Sequence, residues 1–372
     1  MIRVCHLTSK HSRYDTRIYK KECISLAKNG FLVTLIVNDK NEDETINNVE
    51  IISTNFIPKT IFERLILSPK KILANALKVD ADIYHFHDPE LLKISYTLKK
   101  KNKIVIFDSH ENYYEQIKFK HYIPSVFRTF IARIYRFYET FIVKKIDVVI
   151  IPCTFNDGKN PFENRAKKTI IIDNYPKLDD FYDKYVPLSK KIIKICYTGA
   201  LSCERGVINN IKAAFKAKIE IILAGKYISN KFKNQVMKLI EYKAVDYRGY
   251  VDKNEIFEIY QESSIGICTL LNKGQYLKSD NFATKVYEYM SMGLPVILSS
   301  TKYSEKILKE YRFGISVDPM NIDEIVTNIE YLINNPDILK IMGENGRKAI
   351  SEKYNWSNEE FKLISLYKEL LY

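Results

Sequence analysis

Tryptophan occurs once in 372 residues and glycine only 12 times. No run approaches the roughly 20 uninterrupted apolar residues of a membrane span, which excludes a hydrophobic transmembrane helix. The opening Met1-Ile2-Arg3-Val4-Cys5-His6-Leu7 has neither a charged leader nor an apolar h-region, so it reads as a β-strand and not a secretory signal. Six cysteines (5, 23, 153, 196, 203 and 268) include no C-x-x-C pair. That disfavours a disulfide framework or a cysteine zinc site and fits buried thiols in a reducing cytoplasm. No low-complexity tract, internal repeat or recognised nucleic-acid module is present, so nucleic acid is not expected as a partner.

Apolar residues make up 46% of the chain, enough core material for the two domains that its length calls for. The net charge of +13 is uneven: residues 1–250 hold 44 Lys/Arg against 27 Asp/Glu, and residues 251–372 hold 14 against 18. A basic front part attracts anionic membranes or phosphorylated substrates, although lysines that merely solvate the surface account for much of it.

Short apolar strands alternate with helical stretches throughout. Strands are expected at Ile2–Leu7, Leu32–Val37, Ile83–His87, Ile104–Asp108, Asp147–Ile151 and Thr169–Ile172, with helices near 15–28, 60–78, 88–99, 123–144 and 155–165. A second series follows at Ile193–Tyr197, Glu220–Ala224, Val245–Tyr250, Gly266–Leu270, Val296–Ser299 and Ile315–Val317. Two such series predict an α/β protein with two Rossmann-like domains, 1–185 and 186–356, joined through the polar segment from Asp173 to about Lys191. A last helix at about Ser357–Leu371, with Ser357 as N-cap and Glu360 completing a capping box, is expected to return to the first domain. In parallel sheets ligands gather beyond the carboxyl ends of strands, so charged and glycine-rich segments there define a cleft between the domains.

Asp280 to Pro295, D-N-F-A-T-K-V-Y-E-Y-M-S-M-G-L-P, sets two carboxylates, Asp280 and Glu288, around Lys285. On a helix Lys285 and Glu288 share a face, and free amides at the helix start suit a phosphate. A surface Lys–Glu pair fits the same residues. Tyr197-Thr198-Gly199-Ala200-Leu201-Ser202-Cys203-Glu204-Arg205-Gly206 follows a strand and opens a helix, as a phosphate cradle or an ordinary βα turn does. It matches neither G-x-G-x-x-G nor a Walker A loop. Gly225-Lys226 and Gly249-Tyr250-Val251 also end strands.

In the first half, His87-Asp88-Pro89-Glu90 and Asp108-Ser109-His110-Glu111 put histidines beside carboxylates at strand ends. Metal spacing is not defined there, and hydroxyl binding or proton handling suits such histidines better. Arg17 follows strand one and reaches either an anionic ligand or Asp15. The basic, aromatic stretch Gln116–Lys145 is expected to be core for most of its helix, with membrane contact along an exposed edge.

Taken together these pieces resemble the GT-B glycosyltransferases of retaining family 4. The family's E-x7-E appears here as Asp280-x7-Glu288, followed by E-Y-M-S-M-G-L-P-V-I-L; D-T-R-I-Y-K-K-E at 15–22, H-F-H-D-P-E at 85–90, D-S-H-E at 108–111 and Y-N-W at 354–356 also match. The resemblance implies a donor site in which Glu288 holds ribose hydroxyls, with Lys285, Gly199, Gly206, Gly225, Lys226, Tyr250 and Val251 around the nucleotide. It implies that Asp280, His110 and Arg205 act at the reaction centre, with Arg17, His87, Asp88 and Glu111 as lesser candidates for acceptor or phosphate. Catalysis is expected without a metal or cofactor, on a nucleoside-diphosphate sugar, UDP-linked by preference. The acceptor is expected to be a lipid-linked glycan of bacterial surface polysaccharide, met from the cytoplasmic face of the membrane. Two departures stand out: Asp280 is one methylene shorter than the usual Glu, and Ala200 replaces a second phosphate-binding Arg. A UDP-N-acetylhexosamine epimerase and a non-catalytic transferase-like subunit remain alternatives.

Overall fold

The computed structural model describes residues 1–120, 123–155, 158–185, 193–271 and 278–371. They divide into two compact units, Met1–Asn174 with Ser357–Tyr372, and Tyr175–Trp356. The division falls at Asn174, ahead of the 185 expected, and residues 186–192 of the anticipated linker lie outside the described residues.

The first unit is built on β1 (Arg3–Leu7), β2 (Leu32–Val37), β3 (Glu44–Ile46), β4 (Val49–Ser53), β5 (Ile83–Phe86), β6 (Ile104–Asp108), β7 (Val148–Ile151) and β8 (Thr169–Ile171). Their order across the sheet is β3-β4-β2-β1-β5-β6-β7-β8, parallel except for the β3–β4 hairpin. Strands such as Leu32-Val33-Thr34-Leu35-Ile36-Val37 are almost wholly buried, as both-face covering by helices requires. The hairpin escaped the sequence reading because its strands are short and its turn is Asn47-Asn48, both at positive φ, in place of a glycine turn.

Three expectations are corrected here. The helix at 155–165 does not form: Phe155 and Lys159 make an isolated bridge, Gly158 sits at φ +97° and turns follow Pro161. Residues 156–157 lie outside the described residues. The helix Ser125–Val143 is mostly not core, since it buries only Ala132, Glu139, Ile142 and Val143. The terminal helix runs Trp356–Glu369, so Ser357 lies within it and does not cap it; Leu363, Ile364, Leu366 and Tyr367 are its buried face.

The second unit contains β9 (Lys194–Thr198), β10 (Glu220–Ala224), β11 (Val245–Gly249), β12 (Ile265–Cys268), β13 (Val296–Ser299) and β14 (Gly314–Val317). The order β11-β10-β9-β12-β13-β14 is doubly wound and all parallel, with its reversal between β9 and β12. That reversal opens a crevice at the strand ends, where ligands bind in such sheets.

The helix Thr284–Ser291 is held there from behind by the helix Pro336–Glu352. Backbone meets backbone: a β-carbon on Gly343 would stand 2.1 Å from the carbonyl oxygen of Gly293, and one on Gly346 3.3 Å from Met290 Cα. Gly343→Ala should therefore destabilise the second unit by about 1–3 kcal/mol through overpacking. Chemical denaturation of the variant checks it, and wild-type stability would show that the two helices separate freely.

Candidate active site

Around the β9–β12 reversal the second unit gathers most of the residues that the sequence pointed to. The loop after β9 folds against the ends of β10 and β11: Gly199 N donates to Ala224 O at 2.7 Å, Gly225 N to Gly249 O at 2.6 Å, and Leu201 N to Lys226 O at 2.9 Å. Gly225 has φ +144°, and a β-carbon there would lie 1.9 Å from Gly199 O, so only glycine lets the two turns touch. Gly206 then caps the helix Val207–Lys216, with the partly buried Arg205 just before it.

Lys285 is the second residue of the helix Thr284–Ser291, whose start has no side-chain cap. Its ammonium nitrogen is buried, has no hydrogen-bond partner among the described residues, and lies 3.8 Å from the centre of the Tyr197 ring. It points at the β9 loop: a β-carbon on Gly199 would be 2.9 Å from it. Burial pushes its pKa down to about 7; Cys268 and Glu288 oppose that shift and Arg205 adds to it. A lysine so poorly compensated is a candidate anion site.

One turn further on, Glu288 is partly buried and accepts a 2.7 Å hydrogen bond from Tyr260 Oη, which also meets Thr198 Oγ1 at 2.8 Å. Tyr260 was not legible as a site residue, because a tyrosine on the apolar face of an amphipathic helix reads as core, and Thr198 stood only as part of the loop 197–206. Asp280 is partly buried in the bend before the same helix. Tyr250 is 75% exposed with Lys226 Nζ 4.3 Å from its ring centre, and Val251 is partly buried against the core.

In the first unit the sheet reverses between β1 and β5, and a dense polar network fills that point. His6 and His85 are paired across β1 and β5. His6 Nδ1 shares a 3.0 Å hydrogen bond with His87 Nε2, and His87 Nδ1 one of 3.1 Å with His110 Nε2. Arg17 donates to Asp108 through Nε at 2.7 Å and Nη2 at 3.1 Å, and to Ile172 O through Nη1 at 3.0 Å; its Nε is also 3.1 Å from Glu22. Burial opposes the charge on Asp108, yet Arg17 and the neighbouring imidazoles hold its pKa well below the ordinary range. Burial lowers the three inner histidines, His87 to about 4 and His6 and His85 well below their usual value.

This placement assigns the first-unit candidates different duties. Arg17, 4% exposed, serves the internal carboxylates and offers no face to an outside anion, and Asp15 receives its backbone N–H, not its guanidinium. Asp88 is wholly buried and fastens the loop after β1, accepting from Thr8 Oγ1 at 2.8 Å and Ser9 N at 2.7 Å. His87 is buried too, and Glu111 accepts from Gln116. His110, 13% exposed, is the member of the histidine chain nearest to solvent. His6 and Tyr367 were not singled out in the sequence, and Glu22 stood there only as the last residue of the matching stretch 15–22. Removing the guanidinium with Arg17→Met should cost roughly 3–5 kcal/mol, because Asp108 and Glu22 lose their buried counter-charge. Urea unfolding measures it; a loss below about 1 kcal/mol would mean that the carboxylates simply take up protons.

Comparison with known proteins follows the same division. Residues 22–156 match the family "Glycosyltransferase Family 4", and residues 180–349 match "Glycosyl transferases group 1". An uncharacterized glycosyltransferase of Methanocaldococcus jannaschii is 24% identical over 325 residues, 79% of this chain and 77% of its own. Sucrose-phosphate synthase from Thermosynechococcus elongatus superposes with a TM-score of 0.76 at 17% identity, covering 100% of this chain and 99% of that one. Anabaena HepE in complex with UDP and glucose gives 0.70 at 11% identity, covering 99% and 100%. With both families matched in chain order on two Rossmann-like sheets, the chain is a glycosyltransferase of the GT-B fold and belongs to the group 1, family 4 transferases.

Proposed function

We propose that this enzyme moves a hexosyl unit from a UDP-sugar to a hydroxyl of a lipid-linked glycan, with retention, in bacterial surface polysaccharide assembly. The observation that carries the donor half is Lys285: a buried amine with no hydrogen-bond partner among the described residues, at an uncapped helix start, facing a glycine loop, with Glu288 one turn away. A diphosphate supplies the negative charge that the buried amine lacks. The UDP complex of HepE and its likeness in fold to this chain favour uracil as the base.

In this reading the leaving diphosphate gathers charge as the sugar becomes oxocarbenium-like. Lys285, Arg205 and the helix-start amides stabilise that charge more strongly than they bind the ground state. The β-phosphate takes the acceptor proton, so the side chains need supply no strong base. Glu288, oriented by Tyr260, holds the ribose hydroxyls, while Asp280 and His110 meet the transferred sugar. Gly199, Gly206, Gly225, Lys226, Tyr250 and Val251 surround the nucleotide.

The membrane half rests on the helix Ser125–Val143. Phe127, Phe130, Ile134, Phe137 and Phe141 are each more than half exposed, interleaved with Arg128, Arg133 and Arg136. No helix among the described residues is long and apolar enough to cross a membrane. Aromatic side chains with basic neighbours suit the interface of an anionic leaflet, which would hold the enzyme peripherally on the cytoplasmic face.

Two measurements test the halves separately. Protonated Lys285 binds the diphosphate, and in the free enzyme it loses its proton as pH rises through about 7. The Kd for UDP, by calorimetry between pH 7 and 9, should therefore rise by up to about tenfold per unit. Lys285→Met should bind weakly and without that slope; a slope that survives the substitution would discard the assignment. For the membrane, replacing Phe130 and Phe137 by Ser should abolish sedimentation with phosphatidylglycerol vesicles at unchanged melting temperature. Equal sedimentation of variant and wild type would leave the enzyme with a soluble acceptor.

A further inference from the structure

We infer that the first unit holds a four-coordinate zinc-class cation on His6, His85, His87 and Glu22, a site separate from the transferase chemistry. The four residues come from three places in the fold: β1, the end of β5, and the helical segment Ile18–Cys23 that follows β1. All four are wholly buried. Glu22 Oε2 faces a nitrogen of each imidazole at nearly one distance: 3.9 Å to His6 Nδ1, 4.0 Å to His85 Nδ1 and 3.8 Å to His87 Nε2. His6 Nδ1 and His87 Nε2 are 3.0 Å apart, and all four ligand atoms lie within 4.8 Å of one another. Bonds of about 2.0–2.1 Å in a tetrahedron space their ligands at about 3.3 Å, a value that these separations bracket.

The chemistry of the pocket asks for a cation. As a carboxylate, Glu22 accepts no hydrogen bond among the described residues, although Arg17 Nε lies 3.1 Å from Oε1. Ionised, it shares the single Arg17 guanidinium with Asp108; protonated, it hydrogen-bonds to Asp108. A cation favours the ionised, ligating form in this dry interior. With Glu22 ionised, Arg17 contributes one positive charge against two negative ones on Glu22 and Asp108, an imbalance that a bound cation would remove.

Neutral imidazoles are the ligand form, so binding releases any proton that they carry. The outer partners are in place as well. Tyr367 Oη stands 3.3 Å from His6 Nε2, and Asp108 Oδ2 3.5 Å from His87 Nδ1, the arrangement that fixes ligand tautomers. His85 Nδ1 shares a 2.8 Å hydrogen bond with Tyr367 Oη and has to turn from it to ligate. Three nitrogens and one carboxylate in a closed, solvent-free shell select zinc above magnesium or calcium. Such an ion would fasten β1, β5 and the intervening helix at the sheet reversal.

The test is metal analysis of the full chain, purified through a tag that binds no metal and then removed. Elemental analysis after incubation with zinc and gel filtration should give about one ion per chain, and zinc should raise the melting temperature over that in chelator. The isosteric Glu22→Gln variant should lose both effects. Absence of stoichiometric metal with identical melts would overturn the site. So would full zinc binding by Glu22→Gln that disappears in His110→Ala, since the ion would then sit on His87, Asp108 and His110. Should Glu22→Gln not fold, cobalt-loaded wild type decides alone: intense visible bands of four-coordinate cobalt support the site, and the weak bands of six-coordinate cobalt refute it.

Discussion

A lysine ammonium taken out of water without a partner costs several kcal/mol, and the second unit is arranged around that cost at Lys285. The nitrogen is buried against the Tyr197 ring and beside Gly199, whose φ of +114° is one that side chains rarely adopt. Gly225 in turn has to be glycine for the β9 loop to seat on the β10 turn. The glycine pair, the ring and the helix start are thus one constraint seen from three sides. A group kept this close to neutrality responds strongly to an arriving anion, since the ligand restores the charge that burial suppresses. Preorganisation of that kind favours a state in which negative charge grows over one in which it is already delocalised.

The first unit meets the same problem in the opposite sense, with too many acids. Arg17 and Asp108 form a tight buried pair, and Glu22, placed beside them, is pushed well above the ordinary carboxylate range by burial and by Asp108. The histidines of β1 and β5 stay neutral around it. Breaking any one member strands the others, so the network specifies one arrangement of strand ends even where its net contribution to stability is small. Tyr367 of the terminal helix enters this network through His85 and His6, which ties residues 357–372 to the first unit by a polar contact as well as by apolar packing.

The strand–helix alternation and the doubly wound order were legible because parallel strands covered on both faces read as continuous apolar runs; Leu32–Val37, Ile104–Asp108, Glu220–Ala224 and Val296–Ser299 match the expected bounds. The helix carrying Lys285 and Glu288 was legible from its spacing. The burial of Lys285 was not: periodicity places a side chain on a face but does not say that a ring will cover it. The aromatic helix Ser125–Val143 misled for the same reason, since its amphipathic pattern fits core packing and interfacial exposure equally. Arg17 looked like a ligand-binding residue because its carboxylate partner lies 91 positions away, at Asp108. The ligand set of His6, Glu22, His85 and His87 has no local spacing at all, for strand order and not sequence brings it together.

The two sheet reversals are therefore used differently, although the topology offers a crevice at each. At β9–β12 the turns pack through glycine, and the buried Lys285 ammonium has no hydrogen-bond partner among the described residues, which leaves capacity for a ligand. At β1–β5 the side chains are large and ionisable and fill the reversal themselves, with His110 and His11 at its solvent side. Charge follows the same division: the excess of basic residues lies in 1–250, but the buried groups of the first unit are predominantly acidic and imidazole, so its positive charge is a property of the surface. A surface of that sign, bearing the exposed phenylalanines of Ser125–Val143, is suited to an anionic boundary. The buried ammonium of the second unit is suited to a single phosphate ligand. In the proposed reading, one fold repeated twice thus separates the attraction of an extended anionic surface from the capture of a small anionic donor.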